Sequence, residues 1–196
     1  MRIRAIGIDP GFRNTGIAVV ELDGDALQCL AVKYVETPPE PKRRAHLIRT
    51  NADDLARMQQ LHAAVVAAIA RSGPHCMGIE TYKVAGARGA GGRKAAVAGG
   101  NAWKTTIAYG VACAAGYAAG LTIYAHDPVE LKAAVAGYVQ ADKKAVEAAI
   151  LKIVPGVADA VARAGVTASN REHVFDAVGH ALLALRVHRS LAVEVR

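Results

Sequence analysis

Cysteine is scarce in this chain of 196 residues: Cys29, Cys76 and Cys113 are odd in number, far apart, and form no C-x-x-C pair. That excludes a disulfide framework and a zinc knuckle and points to a reducing, cytoplasmic setting. The opening MRIRAIGID has a strand pattern, with no long apolar core and no small-residue cleavage site, so no secretory leader is expected. The uncharged stretch 105–125 has the length of a membrane span. Ala, Gly, Thr and Tyr dominate it, however, and Gly120 divides it into a helix and a strand, so no membrane partner is expected. No internal repeat or second-domain boundary is evident. With 53% hydrophobic residues the chain excludes global disorder and can bury a core as one domain, 1–196.

Acidic residues are missing altogether between 81 and 126. That stretch carries Lys83, Arg88, Arg93, Lys94 and Lys104, and so holds +5 of the net charge of +7; the flanking segments are nearly balanced. Concentrated positive charge of this kind suits a polyanion, because Lys and Arg neutralise phosphates and release their counterions. A solvated loop with incidental charge is the plainer alternative. Within the stretch, residues 84–101 are rich in Gly and too flexible for a stable element, so a basic loop is expected there.

What is present reads as an α/β fold. Residues 2–9, 16–21 and 27–36 are rich in Ile, Val and Leu, and PGFRNTG and DGDA separate them, which predicts an antiparallel meander. A Pro-rich basic surface crossing, TPPEPKRRAHLIRT, follows. A helix then begins near residue 51, with Leu55, Met58, Leu61, Val65, Val66 and Ile69 on its apolar face, and ends at Gly73-Pro74. CMGIE predicts a short buried strand. A helix over about 103–119, a strand at 121–126 and helices within 127–137 and 141–154 come next, and a last helix starts after Asn170.

Two carboxylates, Asp9 and Glu80, end the first and fourth strands, and open α/β sheets hold their ligands outside such ends. Asp176 is the third candidate. It lies three residues after His173 and four after Glu172, so all three share a helical face. Hard oxygen donors drawn from distant parts of the chain suit Mg²⁺ or Mn²⁺, and one imidazole tilts the choice toward Mn²⁺. Two such ions about 3.5–4 Å apart activate water and stabilise a leaving oxygen in phosphodiester hydrolysis. Plainer roles exist: Asp9 before Pro-Gly as a turn former, Glu172 as a complement to the helix dipole, and His180 as a packed core histidine.

These blocks, IGIDPGFRNTGIAVVE, GIE, VELKAAVAGYVQADKKAVEAAI and HVFDAVGHALLAL, resemble in the same order the RuvC family of Holliday junction resolvases. The resemblance implies a ribonuclease H-like fold with a mixed five-stranded sheet, three antiparallel strands followed by two parallel, flanked by helices. It implies a homodimer making paired, symmetric, 5′-phosphate nicks in a four-way DNA junction with two divalent ions per site, placed in the cytoplasm at the nucleoid. A branch-migration motor stays open as a further partner. The family's metal ligands fall on Asp9, Glu80, His173 and Asp176, with His173 either a ligand or a guide for the water. Its two phosphate-side lysines fall on Lys132 and Lys143, and DNA contacts are expected from these and from Tyr82, Lys83, Arg88, Arg93, Lys94 and Lys104.

This chain departs from the family pattern in three places. The aromatic expected three residues after Glu80 is replaced by Lys83, leaving Tyr82 to stack on a base; the usual lysine pair reads Lys132-Ala133; and the Gly-rich loop is longer than usual. Three rivals remain: the sugar kinase and actin superfamily, which needs a second domain; a nuclease of the same fold acting on structured RNA or other branched DNA; and a module that binds branched DNA without cutting it.

Overall fold

The structure is a computed structural model and describes residues 1–38, 52–81 and 102–194. Strands β1 (Arg2–Asp9) and β2 (Asn14–Asp23) pair antiparallel. β3 (Ala26–Glu36) extends the meander across a two-residue turn whose Gly24 has φ +60°, a conformation that favours glycine. Helix α1 (Ala52–Ser72) returns the chain so that β4 (Cys76–Glu80) pairs parallel to β1, and α2 (Ala102–Ala118) brings β5 (Thr122–His126) parallel to β4. Four helices follow: α3 (Pro128–Ala136), α4 (Lys143–Ile153), α5 (Val157–Arg163) and α6 (Arg171–Glu194). The sheet order is β3-β2-β1-β4-β5. This is the mixed five-stranded arrangement expected from the sequence.

Strand side chains alternate between faces, and the sheet is buried on both. Ile6 and Ile8 of β1 and Met77 and Ile79 of β4 fill the core against α1 and α2. Ala5 of β1, Ala18 of β2 and Cys76 of β4 point the other way, into the core formed with α3 to α6. The same alternation puts Gly7 and Asp9, and Gly78 and Glu80, on the α6 face.

Glycine decides how closely α6 can approach that face. A Cβ on Gly7 would lie 1.9 Å from the carbonyl oxygen of Ala177, one on Gly16 1.9 Å from that of His173, and one on Gly78 2.0 Å from that of His180. No side chain fits at such distances. The three glycines therefore form a floor across β2, β1 and β4 on which the helix backbone rests directly.

Several expectations are adjusted. The sequence pattern does not reveal α5: it has seven residues and starts straight after Pro155-Gly156, too short for a periodic signal, although Val157, Ala160 and Val161 are buried at helical spacing. On α1, Leu55 and Val66 are exposed, whereas Ala64 and Ala68 join Leu61, Val65 and Ile69 in the core. The stripe facing the sheet is lined partly by alanines because α1 packs close, and Val66 lies off it. The uncharged stretch 105–125 divides between α2 and β5 as expected, and among the described residues no helix is long and apolar enough to cross a membrane. The three cysteines are buried and unpaired.

Candidate active site

β1 and β4 run parallel in the register Gly7↔Gly78 and Ile8↔Ile79. One residue further along each strand stand Asp9 and Glu80. The tripeptides Gly-Ile-Asp and Gly-Ile-Glu thus repeat one device: a glycine that admits α6, a core isoleucine facing α1 and α2, and an acid at the strand end beside the helix. α6 supplies the rest. Its stripe over the glycine floor carries His173, and Asp176 follows within the next turn.

Asp9, Glu80, His173 and Asp176 line one open cleft of about 310 Å³, together with Lys132, Lys143, Glu172 and His180. His173 Nδ1 donates to Asp9 Oδ2 at 2.6 Å. The Tyr34 ring stacks on the imidazole at 6.0 Å between centroids, and Tyr34 is itself held by a 2.9 Å hydrogen bond from its hydroxyl to Asn14 Oδ1.

The acids repel one another in a poorly hydrated place. Burial pushes the Asp176 carboxyl up to about 7, with the charges of Asp9 and Glu80 adding to the effect. Burial also raises Asp9; the hydrogen bond from His173 opposes that rise and Glu80 adds to it. His173 is raised, chiefly by its bond to Asp9. Among the described residues no three His, Cys, Asp or Glu side chains are already gathered around one point that would hold an ion, and Asp9 is turned to His173. The donor set nonetheless fits a hard divalent cation: carboxylate oxygens, one imidazole, and negative charge in excess of what the local protein neutralises.

The two lysines reach the cleft from separate helices. Asp127 caps α3 in a full capping box with Glu130 and Pro128 at the first turn, and this orients the helix bearing Lys132. α4 starts at Lys143, capped by Asp142. A cation at a helix N-terminus opposes the macrodipole. Here Lys143 forms an ion pair with Glu172 and faces the buried acids, which offsets that repulsion.

Of the expected DNA contacts, Lys132 and Lys143 line the cleft, whereas Lys104, whose Nζ lies 5.9 Å over the Phe12 ring, is not among the residues that line it. Tyr82, Lys83, Arg88, Arg93 and Lys94, and the loop expected at 84–101, lie outside the described residues. Two residues do more than their sequence context suggests. Glu172 pairs across the cleft as well as suiting the dipole, and His180 is packed, as its plainer reading held, yet its ring also reaches Glu80. The helical spacing from Asp176 carried the signal for His180.

A five-stranded sheet of this order, with acids at two parallel strand ends and on the last helix, is that of the ribonuclease H-like nucleases. Residues 5–168 match the family described as crossover junction endodeoxyribonuclease RuvC, and the chain belongs to that family. The matched span ends before His173 and Asp176. Among relatives, the RuvC of Salinispora arenicola is 30% identical over 154 residues, covering 77% of this chain and 74% of the relative. That of Bradyrhizobium diazoefficiens is 28% identical over 176 residues, covering 87% of each. The structure of Thermus thermophilus RuvC in complex with a Holliday junction substrate superimposes with a TM-score of 0.65 at 25% identity, covering 92% of this chain and 91% of that one. The yeast mitochondrial Holliday junction resolvase shares the fold, with a TM-score of 0.61 at 11% identity and coverage of 91% and 77%. The protein is thus an endonuclease of a family that depends on divalent metal.

Proposed function

We propose that the chain, a single nuclease domain over 1–196, resolves four-way DNA junctions as a homodimer, with Asp9, Glu80, Asp176 and His173 holding two Mg²⁺ or Mn²⁺ ions. The observation that carries this is the convergence of three acids and a histidine from β1, β4 and α6 in one cleft that two lysines also enter. Bound there, the ions supply a water of lowered pKa and neutralise charge on the leaving oxygen. Asp9 would share the ions with Glu80 and Asp176: it is hydrogen-bonded to His173 and feels the charge of Glu80. With Nδ1 committed to Asp9, His173 offers Nε2 to an ion or to the attacking water, an arrangement that fixes both tautomer and ring plane. Lys132 and Lys143 bind the scissile phosphate and stabilise the charge that develops on it. The in-line attack leaves a 5′-phosphate.

A four-way junction has approximate two-fold symmetry, which a C₂ dimer matches with two identical sites. The small, uncharged residues of α2 make it the candidate dimer contact. Sedimentation at micromolar concentration, with and without DNA, reports a dimer; a monomer in both conditions refutes it. The basic residues Lys83, Arg88, Arg93, Lys94 and Lys104 and the aromatic Tyr82 add DNA contacts. The substrate places the enzyme in the cytoplasm, at the nucleoid, and a branch-migration motor that delivers junctions is a compatible partner.

The decisive experiment incubates the protein with a synthetic mobile four-way junction in Mg²⁺, in Mn²⁺ and in EDTA, beside duplex DNA and hairpin RNA. Paired, symmetric, ligatable nicks in the junction that need metal are expected. Cleavage of the RNA alone, or binding without cleavage in either metal, overturns the reading.

A further inference from the structure

His180 is fully buried on α6, one turn beyond Asp176, yet among the described residues neither of its ring nitrogens has a hydrogen-bond partner. A leucine or methionine would fill the same space without leaving two polar atoms unsatisfied in the interior. The surroundings show what the ring can serve. Its Nε2 lies 3.7 Å from Glu80 Oε2, and the Glu80 side chain retains 26% exposure, so the carboxylate has room to turn. The buried His126 ring also stacks on His180, at 6.0 Å and 19° between planes. His126 ends β5 directly opposite Glu80 in the sheet register. Alternation along β4 and β5 therefore puts both side chains on the α6 face, where both meet the imidazole.

We propose that His180 is a positioning residue for Glu80: its Nε2–H donates to Glu80 Oε2, holding the carboxylate by one oxygen while the other faces the cleft. A small rotation of Glu80 closes 3.7 Å to the usual hydrogen-bond length of about 2.9 Å. His126, stacked behind, fixes the plane of the imidazole so that the donor stays aimed. Of the acids that end β1 and β4, Asp9 is already held by His173, whereas among the described residues no hydrogen bond holds Glu80. The two acids of the sheet would then each be oriented by a histidine of α6, seven residues apart and so on the same side of the helix. The inference rests on reading Glu80 as a metal ligand.

The test is Mn²⁺ binding by the 196-residue chain without DNA, followed by calorimetry, for the wild type, His180→Leu, His180→Gln and Glu80→Gln. His180→Leu is expected to weaken Mn²⁺ binding by about 10- to 100-fold, the range for loss of an outer partner of a metal ligand. His180→Gln keeps an N–H donor near the position of Nε2 and is expected to stay within about threefold of the wild type. Junction binding in EDTA stays unchanged in both. If Glu80→Gln binds Mn²⁺ like the wild type, the ligand reading of Glu80 fails, and this inference with it. If Glu80→Gln loses affinity while folded His180→Leu does not, or if His180→Gln falls as far as His180→Leu, the positioning role alone is refuted. Nitrogen NMR of the Mg²⁺-bound wild type needs no variant to fold: the Nε2–H tautomer of His180 is expected, and an Nδ1–H tautomer overturns the proposal.

Discussion

Replacing Asp176 by Asn should make the metal-free protein more stable while it abolishes cleavage. Asp176 is pushed from 3.8 up to about 7, first by burial and then by Asp9 and Glu80. An acid whose folded-state value is raised holds its proton longer in the native state than in the unfolded chain. As pH climbs from about 4 toward 7 the unfolded chain ionises first, and stability falls. His173 acts in the same direction: its value is raised too, so its contribution is present at low pH and is lost as pH rises through the folded-state value. The distance from 3.8 to about 7, at roughly 1.4 kcal/mol per pH unit, sets a ceiling of about 4 kcal/mol for the ionised carboxylate. Asn removes the charge but stays polar and buried, so about half of that, ~2 kcal/mol, is expected to be recovered. For a domain of this size that raises Tm by about 4–8 °C. Urea unfolding in EDTA at about pH 5 and pH 8 measures it: the advantage of the variant should grow with pH, and the wild type should lose stability over the same interval. Mn²⁺ should then reverse the ranking, since binding to the native state alone stabilises only the chain that still binds. A variant less stable than the wild type at pH 8 without metal, or a wild type that gains stability as pH rises, would refute the electrostatic account of the site.

Other outcomes follow from the same geometry. Gly78→Ala drives a Cβ to 2.0 Å from the His180 carbonyl and must lift α6; a loss of at least 1–3 kcal/mol, roughly the usual scale for overpacking, is expected in urea unfolding, with cleavage reduced further because His173 and Asp176 move with the helix. Lys143→Ala should slow junction cleavage by about 10- to 100-fold in single-turnover assays while leaving Mn²⁺ affinity within about twofold, because the amine acts on phosphate rather than on metal. Tyr34→Ala removes the ring that stacks on His173 and should lower cleavage about three- to tenfold, in line with about 0.5–1.5 kcal/mol for such a contact, whereas Tyr34→Phe should cleave nearly as the wild type does.

Much of this molecule is legible in one dimension because the signals are local. Alternating apolar runs bounded by Pro, Gly and Asp define the strands, the stops at Gly73-Pro74 and Gly120 define the helices between them, and an acid at the end of an apolar strand is conspicuous because burial there is costly without a partner. Glu80 stands out on that ground, Asp9 before Pro-Gly reads equally as a turn former until it is set beside Glu80, and the three-residue step from His173 to Asp176 follows from helical geometry. Other features carry no local signal. Gly7, Gly16 and Gly78 look like ordinary strand glycines until α6 is laid across them, since their role is an absence of atoms that matters only to a distant helix backbone. α5 is too short for periodicity to reveal. Lys104 belongs by charge with the other basic residues, but the packing of α2 brings its amine to Phe12. His180 reads as core from its neighbours, and it is core; only the pairing of β4 with β5 brings Glu80 and His126 together beside it. Composition and periodicity determine which residues are buried and which elements form. Which polar groups meet inside is decided by strand register and helix placement, long-range quantities that no short window of the chain contains.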